Sequence, residues 1–455
     1  MQRPNGLVTT YSYDPQNRLK AQTTTDALGL TVLERFTYTL DPTGQRIKLE
    51  ELNGRVTTWA YDELYRLTEE TVQDPQHGNR TTSWTYDKVG NRLTQAEEGA
   101  TTTYAYDLND RLQSESGARN ITYEYDDNGN TLGKQSVEGE TIYIYNDANR
   151  LVAVTTPTDS LGYSYDASGI RRSKTENGVT THYLVDPNQS YAQVLGEYQN
   201  NVEQVWYTYG NDLLSQQRGD SLGYYHYDGL GSTRALSDDS GELTDAYAYT
   251  AFGELDARTG DSENAYLYTG EQFDSGLNQY YLRARYYDQG VGRFTQQDIW
   301  MGRNHDPITL HKYLYANIDP ANLIDPTGNF GISSSMSGVG VAGIFAAGAV
   351  VSYQLGQNFA QRGFDSGVSS RDAGLIARSG RIVDTTQKLT SWAETKKGRG
   401  RKPPAFLMAV NFRFYRRWLL AGRQLLHLGY PWSVHPDNHR GYPPYNLPGM
   451  PWPFG

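Results

Sequence analysis

Aromatic residues recur through the first half of the chain in pairs that are two positions apart, and an Asp follows the second of each pair. In Tyr104-Ala-Tyr-Asp107, both rings fall on one face of a β-strand, because strand side chains alternate between faces. Gly129 and Gly169 come three residues after such an Asp, which predicts a type I turn or a bulged hairpin loop. Arg-Leu pairs such as Arg111-Leu112 then begin a return strand. Each unit is therefore predicted to be a β-hairpin.

The hairpin unit is repeated along the chain. Steps between successive units are 19 to 27 residues and mostly close to 20, which is typical of a repeat architecture. An isolated hairpin is marginal in water, so we expect the units to stack into one long antiparallel sheet that curls to hide its edges. For any single copy, Tyr and Asp as ordinary strand and turn residues is the simpler interpretation. The clear copies end at Asp14, Asp62, Asp87, Asp107, Asp126 and Asp166, and weaker ones end at Asp41, Asn146 and Asp186.

Composition and charge add an acidic body and a basic tail. The chain has 37 Tyr and 46 Gly, which favours strands and turns, and its lack of Cys excludes disulfides and thiolate metal sites. Residues 1–330 carry 26 basic against 47 acidic side chains, a net charge of -21, whereas residues 331–455 carry 15 against 5, a net charge of +10. The opening "MQRPNGLVTTYSYD" contains no apolar signal region. We therefore expect either export by a specialised system or the end of a longer chain.

A denser aromatic region separates the repeats from the tail. Its long sequence motifs, which we call the core words, are "YHYDGLGSTRALSD" (225–238), "AYAYTAFGE" (246–254), the run from 266 to 298 and "LHKYLYANIDPANLIDPTGN" (310–329). At these residues the sequence resembles the RHS/YD-repeat family, specifically its RHS repeat-associated core, and the resemblance covers roughly residues 1–329. The positions that carry the core pattern are Tyr225, Tyr227, Asp228, Gly231, Arg234, Arg283, Arg285, Tyr286, Tyr287, Asp288, Pro326 and Gly328.

The resemblance implies a mainly β fold, in which a spiralling strip of antiparallel YD hairpins forms a shell. Residues 1–200 would be the repeats, residues 201–329 the core that plugs the shell, and residues 330–455 a smaller, partly helical cargo domain. Nine recognisable repeats are few, so we expect a partial cocoon. Bacterial members are similar to polymorphic toxins and to the C components of insecticidal toxin complexes, while the animal teneurins are adhesion proteins. The implied partners are the chain's own cargo, an immunity protein, a secretion apparatus, and a membrane or nucleic acid of a recipient cell.

The family's chemistry is self-cleavage by two aspartates. By match to its motifs, Asp298 in "RFTQQDIWMG" and Asp325 in "DPTGN" would be the pair, and the cut would fall between Asn329 and Phe330. Two facing carboxylates do not both ionise readily, so one would donate a proton while the other activates water. The alternative is that Asp325-Pro-Thr-Gly328 is only a type I turn. Asp306 and Asp319 also precede prolines and are the reserve candidates, and no cofactor or metal is expected.

The tail leaves the effector activity open. Residues 331–356 are uncharged and mostly apolar, so they suit either a membrane helix or a buried linker, with 335–356 as the candidate for membrane association. The basic region 371–455 contains "KKGRGRKPP" (396–404), a solvated linker or a phosphate-binding patch. His435, Asp437 and His439 suggest a nuclease or metal cluster, with exposed loop residues as the simpler interpretation.

Three functional classes follow from these patterns. A secreted or delivered toxin-delivery protein explains the core words, the junction near residue 329 and the reversal of charge. An adhesion or carbohydrate-binding shell explains the Tyr-rich strands but gives no reason for a basic tail. A truncated remnant cassette with an inactive tail would explain the small number of repeats.

Overall fold

The computed structural model describes residues 1–189, 191–302, 307–329 and 331–333. The predictions for Phe330, for Asp306 and for the tail beyond residue 333, including residues 335–356 and the cluster His435, Asp437 and His439, lie outside the described residues. Within the described ranges, no helix is long and apolar enough to cross a membrane.

A 24-stranded antiparallel sheet makes up most of the described chain, which confirms the predicted sheet of hairpins. Each strand pairs with the strand that precedes it and the strand that follows it, so the topology is a continuous meander. The sheet runs without a break past residues 200 and 201, and the proposed division into repeats and core at that point stays a prediction. The strands are β1 Val8–Tyr13, β2 Leu19–Thr25, β3 Val32–Leu40, β4 Arg46–Glu51, β5 Val56–Tyr61, β6 Leu67–Asp74, β7 Gly78–Tyr86, β8 Arg92–Glu97, β9 Ala100–Tyr106, β10 Leu112–Gly117, β11 Ile121–Tyr125, β12 Thr131–Ser136, β13 Gly139–Tyr145, β14 Leu151–Thr155, β15 Ser160–Tyr165, β16 Arg171–Glu176, β17 Val179–Asp186, β18 Gln193–Gln199, β19 Val202–Tyr209, β20 Leu213–Arg218, β21 Ser221–Tyr227, β22 Thr233–Ser237, β23 Leu243–Tyr249 and β24 Leu255–Thr259.

The tetrad Asp organises the turn of each hairpin. Asp166 illustrates the geometry: its Oδ1 accepts the backbone N–H groups of Ser168 (2.9 Å) and Ile170 (3.0 Å). Gly169 has a φ of +84°, the left-handed region that glycine enters without strain, and the pairing register shifts beside Tyr165. This is a type I turn followed by a bulge, as the sequence predicts.

In several tetrads, the second Tyr ties its hairpin to the preceding one. The hydroxyls of Tyr86 and Tyr165 donate to the backbone carbonyls of Leu67 (2.7 Å) and Leu151 (2.8 Å). An Arg ties the hairpin to the following one: Arg66 pairs with Asp62 (2.7 Å) and donates to the carbonyl of Asp87 (2.6 Å). The YD tetrad is therefore repeated because its polar atoms hold one repeat to the next.

Side chains join the two ends of the strip, although β1 and β24 are not hydrogen-bonded to each other. We call this contact the seam. Arg3 donates twice to the carbonyl of Tyr225 (3.1 and 2.9 Å), and Arg234 on β22 pairs with Glu51 on β4 (2.7 Å). These buried partners are far apart in sequence but join the first strands to the last.

The described residues of 266–302, 307–329 and 331–333 form a second layer, which we call the plug. It consists of a four-stranded antiparallel sheet followed by a two-stranded pair, with one short 3₁₀ turn before the sheet and two between the sheet and the pair. Tyr287 is fully buried and stacks on Tyr315 with ring centroids 4.0 Å apart. The elements are β25 Gln272–Asp274, β26 Gln279–Leu282, β27 Arg285–Asp288 and β28 Arg293–Phe294, then β29 Leu323–Ile324 paired with β30 Ile332–Ser333, and the 3₁₀ turns Tyr268–Gly270, Pro307–Leu310 and Ala316–Ile318.

The plug packs on the aromatic face of the hairpins. Arg171 on β16 donates to the Tyr286 hydroxyl (2.8 Å) and lies 3.9 Å from the centre of the Tyr281 ring. Farther along the sheet, Arg293 of the plug donates to the side-chain oxygen of Asn91 (3.0 Å), and Thr131 donates to the carbonyl of Thr295 (2.9 Å). The one-sided aromatic pattern of the tetrads is therefore the surface that receives the plug.

Candidate aspartyl site

A tight turn between β26 and β27 faces the loop that carries the predicted second aspartate. Three consecutive residues of the turn bind three consecutive carbonyls of the loop. Arg283 donates to the carbonyl of Pro326, the backbone N–H of Ala284 donates to that of Thr327 (3.3 Å), and Arg285 donates to that of Gly328. We call residues 283–285 the clamp turn.

Gly328 lets the loop approach the clamp turn this closely. An added Cβ would lie 2.4 Å from the Leu282 carbonyl oxygen and 3.1 Å from the Arg285 nitrogen. Its φ of +71° is also in the left-handed region, where a side chain is strained. The Gly of "DPTGN" is therefore required by both space and backbone conformation.

The two predicted aspartates both lie near the same nitrogen of one guanidinium. Arg285 Nη2 is 3.1 Å from Asp298 Oδ2 and 3.8 Å from Asp325 Oδ2. All three side chains are at least nine-tenths buried, and Arg285 is also held by the carbonyl of Lys312 (3.0 Å). Residues that are 27 positions apart in the sequence thus share one charged partner.

Asp325 forms the turn that the alternative interpretation of its motif predicts. At the same time it belongs to the charged cluster with Arg285 and Asp298. Its Oδ1 accepts the backbone N–H groups of Gly328 (2.8 Å) and Asn329 (3.1 Å), while its Oδ2 faces Arg285. Hydrogen bonds from N–H groups favour the carboxylate form of an aspartate. The residue at the predicted cleavage site, Asn329, is therefore held directly by Asp325.

Asp298 is in a different electrostatic environment. Burial raises the pKa of Asp298 above its ordinary value, Arg285 opposes this shift, and the charge of Asp325 adds to it. Its Oδ1 accepts the N–H of Trp300 (2.7 Å), and its own N–H donates to the carbonyl of Lys312 (2.9 Å). Burial therefore favours the protonated form of Asp298.

A third carboxyl, Glu271, lies near this pair, and sequence reasoning missed it. Glu271 Oε2 is 2.7 Å from Arg283 Nη1, and burial raises the pKa of Glu271 to about 7, with a further rise from the charge of Asp325. Lys312, whose pKa is lowered by burial, was also missed. Both lie in core words of the sequence, but no local spacing distinguishes them from surface charges.

The remaining core residues lie elsewhere in the same body. Tyr225, Tyr227, Asp228 and Gly231 build the β21–β22 turn, where Asp228 Oδ1 accepts the N–H groups of Leu230, Gly231 and Ser232, and Arg234 belongs to the seam. Tyr286, Tyr287 and Asp288 lie on β27, in the plug.

The reserve aspartate Asp319 is not part of the pair. Its carboxylate accepts hydrogen bonds from Gln45 (2.9 Å) and Asn322 (2.7 Å), and burial raises its pKa to about 7. Among the described residues, no group of three or more acidic or His side chains is arranged to hold a metal ion.

A meander of YD hairpins that packs its aromatic face on a plug, with two aspartates beside the plug's last loop, defines a YD-repeat shell. A family model for the teneurin YD-shell matches residues 43–321, and a model for the RHS repeat matches residues 2–32. The chain belongs to the teneurin YD-shell family, which confirms the resemblance found in its core words.

The chain is similar to several toxins. It is 30% identical over 272 residues to the tRNA nuclease WapA of Bacillus subtilis, covering 57% of this chain and 11% of the relative. It is 27% identical over 275 residues to the double-stranded DNA deaminase toxin A of Burkholderia cenocepacia, covering 55% of this chain and 17% of the relative. The chain thus spans only a small part of the length of these relatives.

Solved structures confirm the fold. The crystal structure of TcdB2-TccC3-TEV matches with a TM-score of 0.59 at 19% identity, covering 72% of this chain and 18% of that chain. The Photorhabdus luminescens Tc holotoxin pore matches with the same TM-score at 20% identity, covering 71% of this chain and 18% of that chain. At this level of identity the likeness concerns the β-shell alone.

Proposed function

We propose that this chain is a toxin-delivery shell that cuts itself between Asn329 and Phe330 and so frees residues 330–455 as its effector. The observation that carries the proposal is the shared guanidinium: Arg285 lies within 4 Å of both Asp298 and Asp325. The second of these aspartates binds the N–H of Asn329, beside the proposed cut.

The two aspartates would take different roles in the hydrolysis of the peptide bond. Asp298, whose pKa burial raises, would hold the proton that the leaving amine needs. Asp325, whose Oδ1 accepts the N–H groups of Gly328 and Asn329, would take a proton from the attacking water. Arg285 would keep both groups in place. Water adds to the carbonyl carbon of Asn329, the bond to the Phe330 nitrogen breaks, and the proton from Asp298 completes the new amine.

The charge of the chain supports a cargo role for residues 330–455. The segment 331–455 carries a net +10 against -21 for residues 1–330, so attraction would hold the tail near the shell until it is released. A free basic segment would then bind a polyanion or an anionic membrane. Delivery out of the producing cell and a cognate immunity protein belong to the same proposal, which the toxin relatives support.

The cleavage test uses the full chain and its mass. Wild-type protein should yield a C-terminal piece that begins at Phe330, whereas Asp298→Asn and Asp325→Asn should stay intact with an unchanged circular dichroism spectrum. Asp319→Asn is the matched control, because it is another buried Asp before a Pro and should still allow cleavage. An intact wild-type mass after long incubation would refute self-cleavage, and a block by Asp319→Asn alone would show that the pair is misplaced.

The cargo test separates the two kinds of target. Residues 330–455 are expressed in bacteria while membrane potential and intact nucleic acid are followed in time. Early depolarisation that Ala347→Asp abolishes supports a pore, whereas early loss of nucleic acid that His435→Ala or His439→Ala abolishes supports a nuclease. A stable cytosolic fragment that leaves growth unchanged would refute the cargo role and favour a remnant cassette.

A further inference from the structure

The clamp turn binds the backbone of the chain just before the proposed cut, in the way that an enzyme binds the backbone of a peptide substrate. Residues 283–285 bind the carbonyls of residues 326–328 in order, and each contact is to the backbone. The next residue along the loop is Asn329, whose N–H is held by Asp325 (3.1 Å). The clamp turn and the aspartate pair therefore hold consecutive parts of one segment.

The two arginines of the clamp turn have different ion-pair partners. Arg285 pairs with both aspartates, whereas Arg283 pairs with Glu271. Its Nη1 joins Glu271 (2.7 Å) to the Pro326 carbonyl, and its Nε donates to the carbonyl of Ala192 (3.3 Å). Its guanidinium carbon also lies 4.1 Å from the centre of the Tyr191 ring. Contacts on three sides thus fix the direction in which this side chain points.

Arg283 also has a backbone conformation that its side chain disfavours. Its φ is +61°, in the left-handed region where a glycine would be less strained. Such local strain is concentrated at functional sites, where surrounding contacts hold it in place. A glycine would form the same turn with less backbone strain, but it would lack the contacts to Glu271 and to the Pro326 carbonyl.

We propose that Arg283 is a positioning residue for self-cleavage. Its guanidinium, which Glu271 holds, binds the Pro326 carbonyl and so fixes the loop, which would bring the Asn329–Phe330 bond to Asp298 and Asp325. This inference rests on the proposed function and extends it. Glu271 orients Arg283, since it accepts from the same Nη1 that reaches Pro326. Within the loop, Arg283 contacts the Pro326 carbonyl, three residues before the cut, so its effect is on position and not on proton transfer.

The test compares cleavage rates of full-length variants. Arg283→Gly removes the side chain at a φ that glycine prefers, so the turn should still form while cleavage slows by about 100-fold, the loss expected from a small misplacement of reacting groups. Asn278→Gly is the matched control: it changes another left-handed residue of the plug sheet (φ +54°) and should cleave at the wild-type rate. Methylguanidinium added to Arg283→Gly should restore cleavage in part, which a purely structural role would not allow.

Each result bears on either the clamp or the cleavage itself. Slow cleavage of Arg283→Gly that methylguanidinium speeds up supports the inference. Cleavage of Arg283→Gly at the wild-type rate, or a slow rate that methylguanidinium leaves unchanged, overturns it while the proposed function stands. An intact wild-type chain overturns both. Blocked Asp298→Asn and Asp325→Asn variants beside a fully active Arg283→Gly would show that the failure belongs to the clamp alone.

Discussion

Removing the Arg234 guanidinium tests whether the seam holds the two ends of the strip together. In Arg234→Met, the pair with Glu51 (2.7 Å), the pair with Asp228 (3.4 Å) and the bond to the Tyr247 carbonyl (2.8 Å) are lost together. Arg234 and Glu51 side chains are each only 8% exposed, so a carboxylate is left buried without its main partner. Breaking a buried pair on one side costs about 3–5 kcal/mol. Since Arg55 remains 3.7 Å from Glu51, we expect about 3 kcal/mol.

The matched control is Arg18→Met, which removes an ion pair inside one hairpin and a bond to the Asp41 carbonyl of the next hairpin (3.1 Å) but leaves the seam contacts in place. Arg18 and Asp14 are 2.6 Å apart, but their side chains are 26% and 15% exposed. Pairs of this kind contribute about 1 kcal/mol or less. A comparison of the two variants therefore separates the loss of the seam from the loss of any arginine.

Hydrogen exchange followed by mass spectrometry reads the effect on each strand. A loss of about 3 kcal/mol in local opening corresponds to exchange that is faster by about 100-fold. In Arg234→Met we expect this change both in β3–β4, at the start of the strip, and in β22–β23, at its end. Faster exchange in β22–β23 with β3–β4 unchanged would refute the coupling of the two ends, as would an equal effect of Arg18→Met.

Three further predictions concern single groups. Gly328→Ala should stop cleavage and speed exchange in residues 323–329 only, because its Cβ would lie 2.4 Å from the Leu282 oxygen; cleavage at the wild-type rate would contradict this. Tyr106→Phe removes the bond from the Tyr hydroxyl to the Arg92 carbonyl (2.9 Å) and should cost about 1 kcal/mol, measured by exchange in β8–β9, where no change would argue against a role of this bond in holding neighbouring hairpins together. Burial raises the pKa of Glu271 from 4.5 to about 7, so its contribution to stability is full below pH 4.5 and is lost as the pH rises through 7. The Tm difference between wild type and Glu271→Gln should therefore change over that range, and parallel curves would refute it.

The hairpins were predictable because their signals are local. The paired aromatics, the Asp and the Gly or Asn of each turn lie within about ten residues, so alternation and turn chemistry predict them from the sequence. The seam has no such signal, since Glu51 and Arg234 are 183 residues apart and look like ordinary surface charges in the sequence. At the candidate site, Asp298 and Asp325 were found through their motifs, whereas Glu271 has no motif and becomes visible only when burial and Arg283 are known.

The plug limits how many hairpins this shell can contain. The Tyr and Arg contacts between repeats reach only the next hairpin, so by themselves they would accept any number of units. The plug, however, meets particular hairpins: Arg293 binds Asn91, Thr295 binds Thr131, and Tyr286 binds Arg171. A hairpin gained or lost between Asn91 and Arg171 would move these residues away from their partners in the plug. The plug thus fixes the number of hairpins between those that it contacts. The number of repeats is free to vary only outside that part of the strip.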